Sequence, residues 1–312
     1  EQPFYCGDNF MNDRLGAGWM WDDYPYYYQV ELAALPIYGN FIRVQGESNS
    51  NNFSITPGYF TNRIQGISDL SGSTARFYRQ EKKNLIDYNG QPVGKTDLDR
   101  ELPFLYQDSL AIRLLQDSIN RPIQSLYGLG IAPPDSRTIY SVSTDSVLQR
   151  MMQISDNFLA EQLILLCANT VFDTLNIRKG IQLAKDSLYT NSPDKLQWYD
   201  GSGLSRYNQF TPRSIIHVLD KIYHEMPMEY WRTIFPAGGE TGTIKNYFGG
   251  QKQPYVYAKS GSIRNVRCLS GFVLTRSGKT LLFSFMSNAI PGSSQPWNKE
   301  MEKVLGWIHE EL

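Results

Sequence analysis

The chain has 312 residues, 41% of them hydrophobic, enough to bury a substantial core in one large or two modest domains. A formal net charge of −1, with no run of Lys and Arg, excludes broad electrostatic binding to nucleic acid. No apolar run approaches the length of a membrane span, and Glu1-Gln2-Pro3 lacks the basic and apolar regions of a signal peptide. Cys6, Cys167 and Cys268 are far apart, with no CxxC pair and too few ligands for a zinc site. No metal or organic cofactor is implied, and a disulfide would leave one thiol over, so cysteine usage does not settle the compartment.

In chain order, residues 1–40 are rich in Gly, Trp, Tyr and Asp, with a loop-like stretch around Gly16-Ala17-Gly18-Trp19 and an aromatic cluster at Tyr24-Pro25-Tyr26-Tyr27-Tyr28. Residues 41–105 alternate short apolar stretches with Asn, Ser and Gly, which predicts strands and turns. The spacing of Leu110, Ile112, Leu114 and Leu115 predicts an amphipathic helix over 107–118, and Pro133-Pro134 reads as a connection between units. Residues 144–168 carry the strongest helical signal, interrupted by the polar Ser155-Asp156-Asn157. Polar side chains there need partners or a ligand to offset their desolvation. A helix is expected over 212–224. Strands are expected at 269–275 and 280–287, joined by a turn at Arg276-Ser277-Gly278-Lys279, and a closing amphipathic helix over 297–312. Together these predict an α+β fold, an antiparallel sheet covered by helices.

Two triplets carry chemistry. Serine acyl-enzymes need a nucleophilic Ser, a nearby base and a hydrogen-bonding wall, supplied by Ser-x-x-Lys, Ser-x-Asn and Lys-Thr/Ser-Gly. Ser155-Asp156-Asn157 fits the second motif: its hydroxyl can relay a proton, and its Asn amide can bind a carbonyl. Lys259-Ser260-Gly261 fits the third: an ammonium, a hydroxyl for a carboxylate, and a glycine that lets a substrate backbone lie close. Taken singly, the first triplet reads sooner as a helix kink or cap, and the second fits a strand-end turn as well.

In order and placement these segments resemble the DacB-type penicillin-binding proteins of peptidase family S13, low-molecular-mass D-Ala-D-Ala carboxypeptidases and endopeptidases. The resemblance runs through Gly18-Trp19-Met20-Trp21-Asp22-Asp23 with Tyr26-Tyr27-Tyr28, and through the helix from Met152 to Phe158. It continues with Asp200-Gly201-Ser202-Gly203-Leu204-Ser205-Arg206 and Asn208, Pro236-Ala237-Gly238-Gly239, Thr241-Gly242-Thr243, and Ala258-Lys259-Ser260-Gly261-Ser262. It implies a transpeptidase-like core formed by 133–312 and a β-rich inserted region over 1–132, whose segment 16–28 lies beside the active site. It implies Ser155, Asn157 and Lys259 as catalytic residues and Ser260 and Gly261 as substrate contacts. Asp23, Tyr28, Arg206 and Arg264 would line the pocket for the stem-peptide side chain. Asp23 suits an ammonium and Arg206 a carboxylate; a surface position or a structural ion pair would equally explain both, and packing would explain Tyr28. Arg264 puts a second cation there.

The match departs at the nucleophile. The only literal Ser-x-x-Lys is Ser192-Pro193-Asp194-Lys195, in the wrong order and in loop-like surroundings, and it is rejected. His217, His224 and His309 offer no convincing Ser-His-Asp arrangement. The expectation is that the nucleophile motif lies before this chain, which alone forms no stable acyl-enzyme. The partners implied are peptidoglycan stem peptides, and β-lactams if the nucleophile is present; the compartment implied is the bacterial periplasm or envelope. An inactive peptide-binding or structural envelope protein is the alternative.

Overall fold

The computed structural model describes residues 3–67, 71–126, 128, 139–293 and 295–312. Pro133-Pro134 and the boundary between 132 and 133 lie outside the described residues. The chain divides into two compact units, one of residues 1–137 and 161–182, the other of residues 138–160 and 183–312.

In the first unit, β1 (Phe4–Tyr5) pairs in parallel with β8 (Gln124–Ser125). A three-stranded antiparallel sheet joins β3 (Ser54–Thr56), β2 (Phe41–Gly46) and β7 (Leu98–Pro103). A second sheet orders β4 (Ile64–Gly66), β6 (Ile86–Tyr88) and β5 (Phe77–Arg79). Alternation along β2 buries Ile42 and Val44 and turns Arg43 and Gln45 outward. The buried pair joins Phe60, Phe77, Ile86, Leu102 and Phe104, and the inner face of helix α1 (Asp108–Ile119) closes the cluster with Leu110 and Leu114. Each such side chain is worth about 1.5–3 kcal/mol of burial.

The loop that precedes β2 is tied down by charge. Buried Glu31 accepts from the Tyr106 N–H at 2.9 Å and faces Arg14 at 3.3 Å and buried Arg79 at 3.7 Å. Arg79 also donates to the carbonyls of Pro103, Gln80 and Glu81. Burial raises the Glu31 carboxyl above its ordinary range despite these cations.

The second unit is built on a sheet in the order β11 (Thr280–Ser287), β10 (Val266–Leu274), β9 (Val256–Ile263), antiparallel throughout. One face puts Ala258, Leu269 and Phe283 against Leu305 of α7 (Gln295–Glu311). The other puts Tyr257 and Phe272 against α5 (Pro212–Glu225) and α6 (Met228–Ile234), with Trp231 stacked on Phe272 at 4.2 Å. Leu148 and Met152 of α2 (Thr144–Ile154) join this second face. At Gly271 a Cβ would stand 2.1 Å from the Tyr257 carbonyl oxygen, so only glycine lets β9 and β10 approach this closely.

The helical signal over 144–168 is two helices, α2 and α3 (Asn157–Phe172), and the break at Ser155 falls in the polar interruption. Helix α4 (Ile177–Leu188) was not expected from the pattern; Asn176 starts it by accepting from the Lys179 N–H at 3.0 Å. Among the described residues, no helix is long and apolar enough to cross a membrane.

Candidate active site

The break between α2 and α3 is made by three consecutive polar residues with different tasks. Ser155 takes the left-handed conformation (φ 57°, ψ 52°) and its N–H caps α2 on the Met151 carbonyl. Asp156 accepts from the Leu159 N–H at 3.0 Å, a local bond that starts the next helix. Asn157 is its first residue. The turn therefore holds the Ser155 hydroxyl at a helix end, where no continuing backbone covers it.

Lys259 reaches that hydroxyl from the sheet. Alternation in β9 sends Ala258 toward α7 and Lys259 to the opposite face, the one lined by α2, α5 and α6. Its Nζ donates to Ser155 Oγ at 2.7 Å and to the Ser260 carbonyl at 2.7 Å. Burial pulls the Lys259 ammonium down from 10.5 to about 8. It stays largely cationic at neutral pH and loses its charge in mildly alkaline solution.

Ser260 points the other way, and its hydroxyl shares a 2.7 Å hydrogen bond with that of Thr243. Thr243 is delivered by a loop pressed on the end of α2: a Cβ at Gly242 (φ +65°) would lie 2.9 Å from the Gln153 carbonyl oxygen. The motif Thr241-Gly242-Thr243 does not announce this contact, because Thr243 and Ser260 stand 17 residues apart.

β9 is an edge strand. Among the described residues its outer edge is covered only at the start, where the Ala258 N–H donates to the Pro236 carbonyl at 3.0 Å and the Gly238 N–H to the Val256 carbonyl at 2.8 Å. Alternation then aims the N–H groups of Ser260 and Ser262 at the open edge, where an extended peptide can add as a further strand. A Cβ at Gly261 would meet Cys268 Cβ at 3.6 Å, an ordinary contact.

At the far end of β9 a tight turn carries Arg264 and Asn265, the latter at φ +64°. Exposed Arg206 donates to the Arg264 carbonyl at 3.4 Å. Its own loop is organised by Asp200, only 2% exposed, which accepts from the N–H groups of Gly203 (3.0 Å) and Ser205 (2.6 Å) and from Asn208 Nδ2 (2.6 Å). The predicted residues Ser155, Lys259, Ser260, Gly261, Arg206 and Arg264 all belong to the second unit.

Asp23 and Tyr28 belong to the first unit, where they meet each other. The Tyr28 hydroxyl donates to the Asp23 carboxylate; burial, then the Asp23 charge, raises Tyr28 above the ordinary phenol range. Tyr28 stacks on Tyr26 at 5.5 Å. Ser192-Pro193-Asp194-Lys195 lies outside helix and strand, and Ser192 Oγ donates to the Asp194 carbonyl at 2.9 Å.

The order of these elements along the chain matches a known family. The model of the D-Ala-D-Ala carboxypeptidase 3 (S13) family fits residues 8–310. The chain belongs to this family. It is 26% identical over 307 residues to the D-alanyl-D-alanine carboxypeptidase DacB of Haemophilus influenzae, covering 88% of this chain and 62% of that protein. It is 24% identical over 321 residues to a D-alanyl-D-alanine carboxypeptidase of Actinomadura sp., covering 92% and 60% respectively. The chain thus spans about three fifths of the length of these relatives. The crystal structure of penicillin binding protein 4 (dacB) from Haemophilus influenzae superposes with a TM-score of 0.74 at 19% identity, covering 97% of this chain and 74% of that one. The S13 chain described here therefore has the penicillin-binding fold, with mixed helices and antiparallel sheet as its sequence predicted.

Proposed function

We propose that this S13 chain supplies the groove and proton-handling side chains of a serine-type D-Ala-D-Ala carboxypeptidase or endopeptidase acting on peptidoglycan stem peptides in the bacterial envelope. A serine oxygen attacks the carbonyl of the penultimate D-Ala, the bond to the terminal residue breaks, and water then releases the acyl group from the serine. The attacking serine is not assigned to any of the 312 residues. Ser155 and Lys259 carry the proton toward the leaving nitrogen, and the Asn157 amide holds a substrate carbonyl. The free edge of β9 aligns the peptide. The Ser260 hydroxyl, steadied by Thr243, takes the terminal carboxylate. Asp23 with Tyr28 suits an ammonium on the stem-peptide side chain, and Arg206 with Arg264 a carboxylate. β-Lactams would enter the same groove as substrate mimics.

The observation that carries this reading is the 2.7 Å contact between Lys259 Nζ and Ser155 Oγ, brought together from residues 104 apart. A second reading, a peptide-binding groove without turnover, is favoured by the loop position of the only Ser-x-x-Lys. The test is intact mass after incubation with a penicillin, paired with titration of a D-Ala-D-Ala stem peptide. The expected result for this chain is no adduct, with saturable peptide binding that Lys259→Ala removes. An adduct mapped to one of its serines would place the nucleophile inside the chain. Unchanged binding in Lys259→Ala would remove the groove from both readings.

A further inference from the structure

The first unit contains a cavity of about 360 Å³ between the Pro25-Tyr26-Tyr27 segment and strands β2, β5 and β7. None of the residues placed in the peptide groove lines it. Its volume falls at the small end of the range for small-molecule sites, about 300–1,000 Å³.

The lining combines three features. Tyr26, Tyr27 and Tyr78 supply aromatic surface. Tyr27 is 62% exposed, and its ring stands nearly perpendicular to that of Tyr28 at 5.6 Å. Arg43 and Asp99 form a two-pronged ion pair, Nε to Oδ1 at 2.7 Å and Nη2 to Oδ2 at 2.5 Å, with Glu101 directly across the ladder from Arg43. This pairing holds the Asp99 carboxyl below its ordinary range, so the fork remains charged and self-compensated over a wide pH span. With Arg100 the lining carries two arginines and two carboxylates.

On the Arg43 face the strand pairing sets one guanidinium against the carboxylates of Asp99 and Glu101, which disfavours an anionic ligand. Planar donors and acceptors beside exposed rings suit a molecule with an apolar C–H face and several hydroxyls around its rim. Flat aromatic faces take the C–H side, and the fork's remaining lone pairs and N–H groups take the hydroxyls. We propose that the cavity between Tyr26-Tyr27 and the Arg43–Asp99 fork is a subsite for a neutral pyranose sugar. The inference stands on the first unit alone; that the sugar belongs to the same wall polymer as the stem peptide rests on the reading above. A sugar subsite would then let the protein hold the glycan strand as well as the peptide hanging from it.

The probe is chitotetraose, an uncharged β-1,4-linked N-acetylglucosamine oligomer, titrated calorimetrically into the 312-residue chain. Saturable binding is expected. Tyr27→Ala should weaken it by about tenfold and Tyr27→Phe by far less, because the ring face and not the hydroxyl makes the contact. The exposed position of Tyr27 lets both variants fold, which circular dichroism checks; Tyr223→Ala, on α5, should bind like the parent. Absence of saturable binding, or equal affinity in Tyr27→Ala, would overturn the proposal. Displacement of the sugar by a free stem peptide would do so too, by assigning the cavity to peptide. The penicillin and Lys259 experiments read the second unit, so either reading can fail without the other.

Discussion

Replacing Lys259 with Met removes a buried charge while keeping an unbranched stem of similar length. The Lys259 ammonium titrates at about 8 in the folded chain against 10.5 when unburied, because burial disfavours the charged form. At 1.36 kcal/mol per pH unit, that difference corresponds to about 3 kcal/mol working against the fold while the group is protonated in both states. The sign follows from the lowered value. Below pH 8 folded and unfolded chains both hold the proton and the penalty is complete. Between 8 and 10.5 the unfolded chain binds more proton, so stability recovers with rising pH; above 10.5 the penalty is gone. The parent's stability relative to Lys259→Met should therefore climb by about 2–3 kcal/mol from pH 7 to pH 10. Taking the difference cancels the tyrosines, which titrate alike in both proteins. Urea unfolding followed by the fluorescence of the six tryptophans, at unit pH steps, measures it. Parallel curves would refute the argument, because they would mean that Lys259 is solvated as well in the fold as outside it. The same titration bears on binding. If the ammonium attracts the peptide carboxylate, affinity should fall by up to about tenfold between pH 7 and 9, as the cationic fraction drops around pH 8.

Three further substitutions probe local supports of the two units. Asp200→Ala deletes a buried acceptor of two backbone N–H groups and the Asn208 amide and should cost about 2–4 kcal/mol, with faster amide exchange at Gly203 and Ser205. Retained protection at those amides would show that the loop holds itself without the carboxylate. Arg79→Ala leaves Glu31 buried without its closest enclosed cation and frees three carbonyls, for about 3–5 kcal/mol in urea unfolding; a loss under 1 kcal/mol would mean that Glu31 is held by Tyr106 and Arg14 alone. At Ser155, Gly should be more stable than Ala by about 1 kcal/mol, since only Gly takes φ 57° without steric cost, while both variants equally lose the hydroxyl that Lys259 contacts. Equal stability of the two would argue that the left-handed turn relaxes in solution.

Much of the second unit was readable in advance because its elements are long and periodic. The hairpin of β10 and β11, the helix over α5 and the closing helix follow from alternation or 3.6-residue spacing, and the structure moves their ends by only a few residues. The three-residue strands β3 to β6 could not be placed individually, since three residues do not establish a period. Helix α4 is a different case. Ile177 and Ile181 stand four apart behind the cap Asn176, so the sequence does carry a signal for it. Asp200 could be listed as part of a motif, but its work is accepting backbone N–H groups, and nothing in a side-chain pattern announces which backbone will turn toward it.

Ser155 and Lys259 are legible as motif residues, but their conformation and burial are not, because local preference and final conformation disagree there. The apolar pattern from 144 to 168 favours one continuous helix, yet Ser155 sits in a left-handed conformation that costs a non-glycine residue about 1–2 kcal/mol. β9 is apolar at Val256, Tyr257 and Ala258, yet the next residue buries an ammonium whose affinity for its proton the fold lowers. A sequence read for propensity smooths over both places. These two departures meet at the 2.7 Å bond between Ser155 and Lys259, so each makes use of the other: the turn exposes the hydroxyl, and the hydroxyl gives the buried cation a partner. Either alone would be a defect that a more regular sequence could remove, an unbroken helix in one case and an apolar strand in the other. Their convergence on one pair of atoms supports the proposal that Ser155 and Lys259 have a chemical task rather than a packing one.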